Sequence, residues 1–198
     1  VTVDAIGRTD TTTSLAERVA ADGVRFLLVV FVDLTGKPCA KLVPASCAEQ
    51  VQTDGVGFAG YAVGAIGQQP HDPDLIVVPD PASYTPVPAV REGLAVVHGD
   101  PHVEGAPWPY APRVILRRAL ERTPHTLMAG AEVEYFLLTR DADGTLRPAD
   151  ARDDAAQPCY DARGLTRMYD HLTDVSGAMD AMGWGNYAND HEDANGQF

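Results

Sequence analysis

Lysine is nearly absent, occurring only at Lys37 and Lys41, and Lys+Arg total 15 against 28 Asp+Glu, a formal charge of −13. A phosphate-backbone binder needs a basic footprint, so this deficit excludes nucleic acid as a general partner. Cysteine is almost as scarce. Cys39, Cys47 and Cys159 are odd in number and unpatterned in spacing. They make neither a disulfide framework nor a zinc motif, and a reducing cytoplasm is the expected compartment. Long apolar runs are missing too: the longest, Phe26 to Val32, is far too short to span a bilayer. No charged-then-apolar leader opens the sequence, and no membrane partner is expected. There is no Gly-x-Ser-x-Gly, and no cysteine stands at a suggestive spacing from a histidine, so nucleophilic catalysis has nothing to build on.

What is present is enough for a core. Of 198 residues, 45% are hydrophobic and 22% charged, which suits one medium domain or two small ones and excludes wholesale disorder. The surplus of acid serves solubility, or divalent cations where carboxylates converge. The sequence starts at Val1 rather than Met and stops at Phe198 inside a dense polar motif, the pattern expected of a fragment.

Residues 1–13 are Thr-rich and expected to be flexible. Ser14 and Glu17 make a capping-box pattern before a short helix that Gly23 can stop. Arg25 to Asp33 reads as a buried strand, and Asp33-Leu34-Thr35-Gly36 as the turn of a hairpin returning over Lys37 to Val43. A second capping box, Ser46 to Glu49, opens another helix ending near Gly55. Residues 55–74 read as a glycine-rich loop, and Leu75 to Val78 and Leu94 to Val97 as strands. The stretch 14–105 is therefore a small mixed sheet on one or two helices, and 106–112 a Pro-rich linker. Pro112 opens a helix over 113–122. Leu127 to Leu138 is a strand pair or one bent strand, closed by the turn Asp141 to Gly144. Residues 145–160 read as irregular, and Leu165, Met168, Leu172, Val175, Met179 and Met182 as one long amphipathic helix with a plain core stripe.

Four groups of residues invite a chemical reading. Gly55-x-Gly57-x-x-Gly60 matches a dinucleotide fingerprint on paper, but a helix rather than a strand precedes it and another glycine loop follows, so it reads as a loop. His71, His98, His102 and His125 lack the one-face helical spacing of zinc ligands and read as loop or surface residues. Glu132-Val133-Glu134-Tyr135-Phe136 alternates, so Glu132 and Glu134 share one strand face with Cα atoms about 7 Å apart. That spacing suits two ions each taking one carboxylate, or a solvated strand edge. The apolar neighbours predict burial, and buried carboxylates need cations or partners. Last, Asn189 to Phe198 carries four consecutive ionisable residues before Asn-Gly. It reads as a solvated turn or as hard oxygen ligands for Mg²⁺ or Mn²⁺.

Together these segments resemble a family. Gly130-Ala-Glu132-Val-Glu134-Tyr-Phe136 is similar to the Gly-x-Glu-x-Glu-x-Phe strand of the glutamine synthetases. His191-Glu192 through Gly196-Gln197 resembles their His-Glu-x-x-x-Gly-Gln-x-Glu segment. Asp100, Gly105, Pro107 and Pro112-Arg113-x-x-Leu116-Arg117-Arg118-x-Leu120 resemble the family's approach to its catalytic domain. Asp33-x-x-Gly36 with Lys41, and Asp74-Leu75 with Pro79-Asp80, resemble its N-terminal β-grasp domain.

The resemblance implies an α+β fold: a β-grasp-like domain over 14–105, then the beginning of a glutamine-synthetase-type α/β catalytic domain over 113–198. It implies an ATP-dependent ligase joining glutamate to ammonia or a small amine through a γ-glutamyl phosphate, as in glutamine biosynthesis. Two divalent cations, Mg²⁺ or Mn²⁺, would neutralise the phosphates. By family position Glu134 and Glu192 hold one ion and Glu132 the other, and a further metal-binding Glu is expected directly after Phe198. The remaining ligands and the phosphate-contacting arginines belong to the absent C-terminal part, so the fragment alone is expected to be inactive. The family pattern also implies a homo-oligomeric ring for a full-length protein. One departure stands out: where the family carries Asp-Gly-Ser-Ser in its ammonium pocket, this sequence has roughly Ala59-Gly60-Tyr61-Ala62. Losing that carboxylate favours a small alkylamine such as methylamine, as in the γ-glutamylmethylamide synthetases. The alternative from another class is a non-catalytic assembly or binding protein of the same fold.

Overall fold

A computed structural model describes residues 13–63 and 68–198. The expected flexible N-terminus lies, but for Thr13, outside the described residues. The chain divides into two compact units, the first running to Leu127 and the second from Met128 to Phe198.

The first unit opens with α1 (Leu15–Ala21), which begins where the spacing predicts. Ser14 accepts from the Glu17 amide at 3.2 Å and Glu17 accepts from the Ser14 amide at 2.8 Å, a reciprocal capping box. Strand β1 (Phe26–Val32) follows and pairs antiparallel with β2 (Pro38–Pro44). Asp33 builds the turn between them, accepting from the Thr35 amide, the Thr35 hydroxyl and the Lys37 amide. The Thr35 hydroxyl is the main cause of its lowered carboxyl pKa, against the opposing effect of burial.

The second helix, α2 (Ala48–Asp54), corrects the expected capping. Cys47 occupies the N-cap and no side chain caps the first turn, because residues 45–47 form a 3₁₀ turn that carries Ser46 past the cap. Gly55 ends the helix at φ +73° as predicted. The stretch after it is not all loop: β3 (Val56–Phe58) pairs with β4 (Leu75–Pro79), and residues 60–62 make a 3₁₀ turn. Gly57 lies in β3 with no helix behind it, so no dinucleotide cradle forms.

The organising strand is β6 (Leu94–Val103). Its first half runs parallel to β1 and its second half antiparallel to β4, while β5 (Thr85–Pro86) and β7 (Ala106–Pro107) pair along it. The path β2-β1-β6-β4-β3 is a mixed sheet. His98 and His102 therefore sit on a central strand rather than in loops, a correction forced by the extra length of β6. Leu27, Val29, Phe31, Val77 and Val97 supply the sheet's buried side chains, and Leu15, Val19 and Val51 from α1 and α2 close over them. Helix α3 (Pro112–Leu120), with Pro112 in its first turn, buries Val114 in the same core. Two arginines one helical turn apart fasten it to the sheet. Arg113 donates to Asp80 at 2.8 Å and Asp100 at 3.1 Å, and Arg117 donates to the same two aspartates. Helix α3 thus packs with the residues before it.

In the second unit, β8 (Leu138–Arg140) and β9 (Leu146–Pro148) form a hairpin across the predicted Asp141–Gly144 turn. The region 145–160 is therefore not wholly irregular. The expected long helix is broken: α4 (Ala162–Arg167) stops at Met168, and α5 (Tyr169–Ala181) starts there. Within α5 only Leu172 is buried, so the apolar stripe read from the sequence is not a continuous core. Asp150 accepts from Arg167 and Arg152, and the Arg167 contact above all holds its carboxyl down at about 2. A carboxylate lowered from 3.8 stabilises the fold above pH ~4, and this is lost as pH falls toward ~2. Calorimetry across that range is expected to show a falling thermal midpoint, with a shallower fall in Asp150→Asn.

Candidate functional site

The segment that follows Glu132 and Glu134 finds its partner at the C-terminal end of the second unit. Tyr135 donates its amide to the Phe198 carbonyl at 2.8 Å and accepts from the Phe198 amide at 2.9 Å. The Leu137 amide donates to the Gly196 carbonyl at 2.8 Å, and Phe136 stands opposite Gln197. Side chains on opposed residues share a face, and residues two apart share it as well. Glu134, Phe136 and Gln197 therefore lie together, and the Gln197 side-chain amide donates to Glu134 at 3.1 Å.

The same segment then curls. The Glu192 amide donates to the Gln197 carbonyl at 3.0 Å and the Gln197 amide to Ala194 at 3.0 Å, closing a tight loop over 192–197. Glu192 is thereby carried to the acidic end of the strand. Its carboxyl pKa is raised, first by burial and next by the negative charge of Glu134, with Asp190, Asp193 and Glu132 adding to it. Glu192 thus feels the charge of both other acids picked out in the sequence. None of the three forms an ion pair among the described residues.

The expected burial of this strand is not found. Residues 127–135 form no regular strand, and Glu132 and Glu134 are exposed. Val133 is 78% and Phe136 52% exposed. Among the described residues, backbone pairing with 196–198 reaches Tyr135 and no further toward Glu134. Among the described residues no group of three His, Cys, Asp or Glu side chains converges closely enough to hold an ion. The donor chemistry still fits a hard divalent cation: three carboxylates, unneutralised, beside a neutral Gln side chain.

Beneath the loop lies a feature that short-range pattern could not reveal. His191 is fully buried, with Nε2 3.0 Å from Asp153 and Nδ1 2.9 Å from the Glu192 carbonyl. Asp153 also accepts from the Gly196 amide and from Asn195 at 3.2 Å. Burial opposes its ionisation, but the Gly196, Asn195 and His191 contacts outweigh that and hold its carboxyl below the usual range. Asp153 lies in a polar stretch without periodicity, 38 residues from its histidine. A polar sequence with no repeat offers nothing to extrapolate from.

No family model matches the chain. It is 37% identical over 190 residues to a glutamine synthetase of Rhizobium leguminosarum bv. phaseoli, covering 94% of this chain and 42% of the relative. It is 40% identical over 179 residues to a glutamate–methylamine ligase of Methyloversatilis universalis, covering 88% of this chain and 40% of the relative. In three dimensions it resembles GmaS solved without ligand, at TM-score 0.79 and 38% identity, over 93% of this chain and 44% of that one. Sequence and fold agree on the α+β class of the glutamine synthetases. The chain belongs to the glutamine synthetase family, and it spans about 40% of the length of the curated relatives it matches.

Proposed function

We propose that this chain is the N-terminal portion of a glutamate–amine ligase. In that reaction the side-chain carboxylate of glutamate takes the γ-phosphoryl group of ATP. An amine then displaces phosphate from the acyl phosphate and gives up a proton as the amide forms. Two anions, the glutamate carboxylate and the ATP phosphates, must be brought together before any chemistry occurs, and divalent cations supply the neutralising charge. Glu134 and Glu192 would hold one ion and Glu132 another, Mg²⁺ or Mn²⁺ by donor type. The observation that supports this reading is the pairing of Tyr135 and Leu137 with Gly196 and Phe198, which sets the segment of Glu192 beside that of Glu134. Among the chain's own residues, Gln197 braces the Glu134 carboxylate.

A specific observation favours methylamine over ammonia. Residues 60–62 form a 3₁₀ turn in which Tyr61 is 54% exposed, and no carboxylate stands between Ala59 and Ala62. A site that has lost this negative charge attracts ammonium less and leaves room for a methyl group. The relative from Methyloversatilis universalis, named for that amine, points the same way.

Calorimetric titration of the chain with Mn²⁺ tests the cation site. Wild type is expected to bind, and a triple variant with Gln at 132, 134 and 192 to show no binding heat. Equal binding by both removes the assignment, and no binding by wild type favours a non-catalytic member of the fold. Turnover by the intact polypeptide, compared between ammonium and methylamine at equal concentration, decides the nucleophile. A strong ammonium preference removes the methylamine reading.

A further inference from the structure

We propose that Asp153 is a positioning residue for the cation site, clamping the 191–198 loop so that Glu192 faces Glu134. The inference deepens the functional reading above and rests on it for its metal readout alone. Asp153 touches none of the three acids. Among the described residues it takes hydrogen bonds from three parts of one loop: the His191 ring, the Asn195 side chain and the Gly196 backbone. These flank Glu192 on both sides. Asn195 is pinned a second time, by the Ala155 carbonyl at 3.2 Å.

The surroundings leave the loop little freedom. His191 packs against Phe198 with ring centroids 4.8 Å apart, and its carbonyl accepts from the Tyr160 amide at 2.9 Å. Tyr160 adopts φ +61°, a conformation a tyrosine keeps only where its surroundings fix it. Gly196 sits at φ +79°, and a Cβ there would lie 3.1 Å from the Leu137 carbonyl oxygen. The loop backbone is thus pressed onto Leu137, three residues beyond Glu134, and Asp153 is the buried carboxylate it is bonded to. A carboxylate accepting three bonds does here what a second layer of ligands does in a metal site. It holds the direct ligand's backbone while staying away from the ion.

Two measurements on the full chain test the assignment. In Asp153→Ala, hydrogen exchange at the amides of Glu192, Gln197 and Phe198 is expected to speed up at least tenfold, with strand 26–32 unchanged. Mn²⁺ affinity is expected to fall about tenfold or more, the range typical when such support is removed. Asp153→Asn keeps the side-chain volume and one acceptor, and is expected to fall between Ala and wild type. Gly144→Ala is the comparison. It strains the β8–β9 turn, where Gly144 has φ +89°, and should lower stability while leaving the exchange of 191–198 and Mn²⁺ affinity within twofold. Retained protection of the loop in both Asp153 variants overturns the proposal. So does unchanged Mn²⁺ affinity, or an equal loss in Gly144→Ala. If wild type binds no Mn²⁺, the functional reading falls and the exchange data alone decide for or against Asp153.

Discussion

Replacing Gly164 with valine is expected to unseat His191 and weaken Mn²⁺ binding by about ten- to a hundredfold. Gly164 lies in α4 with an ordinary backbone, so its lack of a side chain is not a matter of conformation. A Cβ there would run into the imidazole, with Nε2 at 3.1 Å and Cγ at 3.5 Å and Cδ2 closer still. The ring cannot retreat, because it is fully buried and bonded at both nitrogens. Two effects compete in the milder Gly164→Ala. Helix propensity favours alanine by up to about 1 kcal/mol, while overpacking a closed site costs about 1–3 kcal/mol. The clash should win, and the variant should melt earlier. Gly177 in α5 makes the contrast, since nothing lies within 4 Å of a Cβ built there. Gly177→Ala should therefore be stabilising by a large part of that propensity gain. Thermal melts of the two variants, opposite in sign, would separate space from propensity. A stabilised Gly164→Ala would mean that the His191 ring is free to move.

The largest loss of stability is expected from Phe31→Ala, at about 3–5 kcal/mol. Phe31 is 1% exposed and sits at the end of β1, edge-on to Phe58 with centroids 5.1 Å apart. It joins β1 to β3, so its removal leaves a cavity that packed neighbours on several elements must share. Leu42 on the neighbouring β2 is 58% exposed, and Leu42→Ala should stay within about 0.5 kcal/mol of wild type. Urea denaturation followed by fluorescence can read the first unit, because Trp108 is buried in it at 5% exposure whereas Trp184 of the second unit is 56% exposed. A Phe31→Ala midpoint equal to that of Leu42→Ala would show that the Phe31–Phe58 contact carries no weight.

How much could be read in advance varied with the range of the forces involved. The capping box at Ser14, the Asp33 turn, the buried β1 and the Gly55 stop were legible because each is settled within about four residues. Caps, turns and strand faces depend on hydrogen bonds and side-chain alternation that neighbours already supply. The second capping box failed for a local reason as well, since a 3₁₀ turn moved the helix start one residue beyond Ser46's reach. The break at Met168 went unseen because periodicity counts apolar residues but does not say whether another layer covers them. Burial of the Glu132–Glu134 strand was inferred from its apolar neighbours, yet burial belongs to whatever packs on top, and only residues 196–198 pair there.

The three acids were singled out by a resemblance, because carboxylates recur there in two ordered motifs. How near their segments lie could not be read in the same way. The segment of Glu192 lies beside that of Glu134 through backbone pairing between stretches some sixty residues apart, and Asp153 holds the loop through bonds to a histidine nothing in its own neighbourhood announces. Short-range chemistry lies in the order of residues, whereas convergence requires chain entropy to be overcome by the sum of many distant contacts. That sum exists only once the polypeptide is folded.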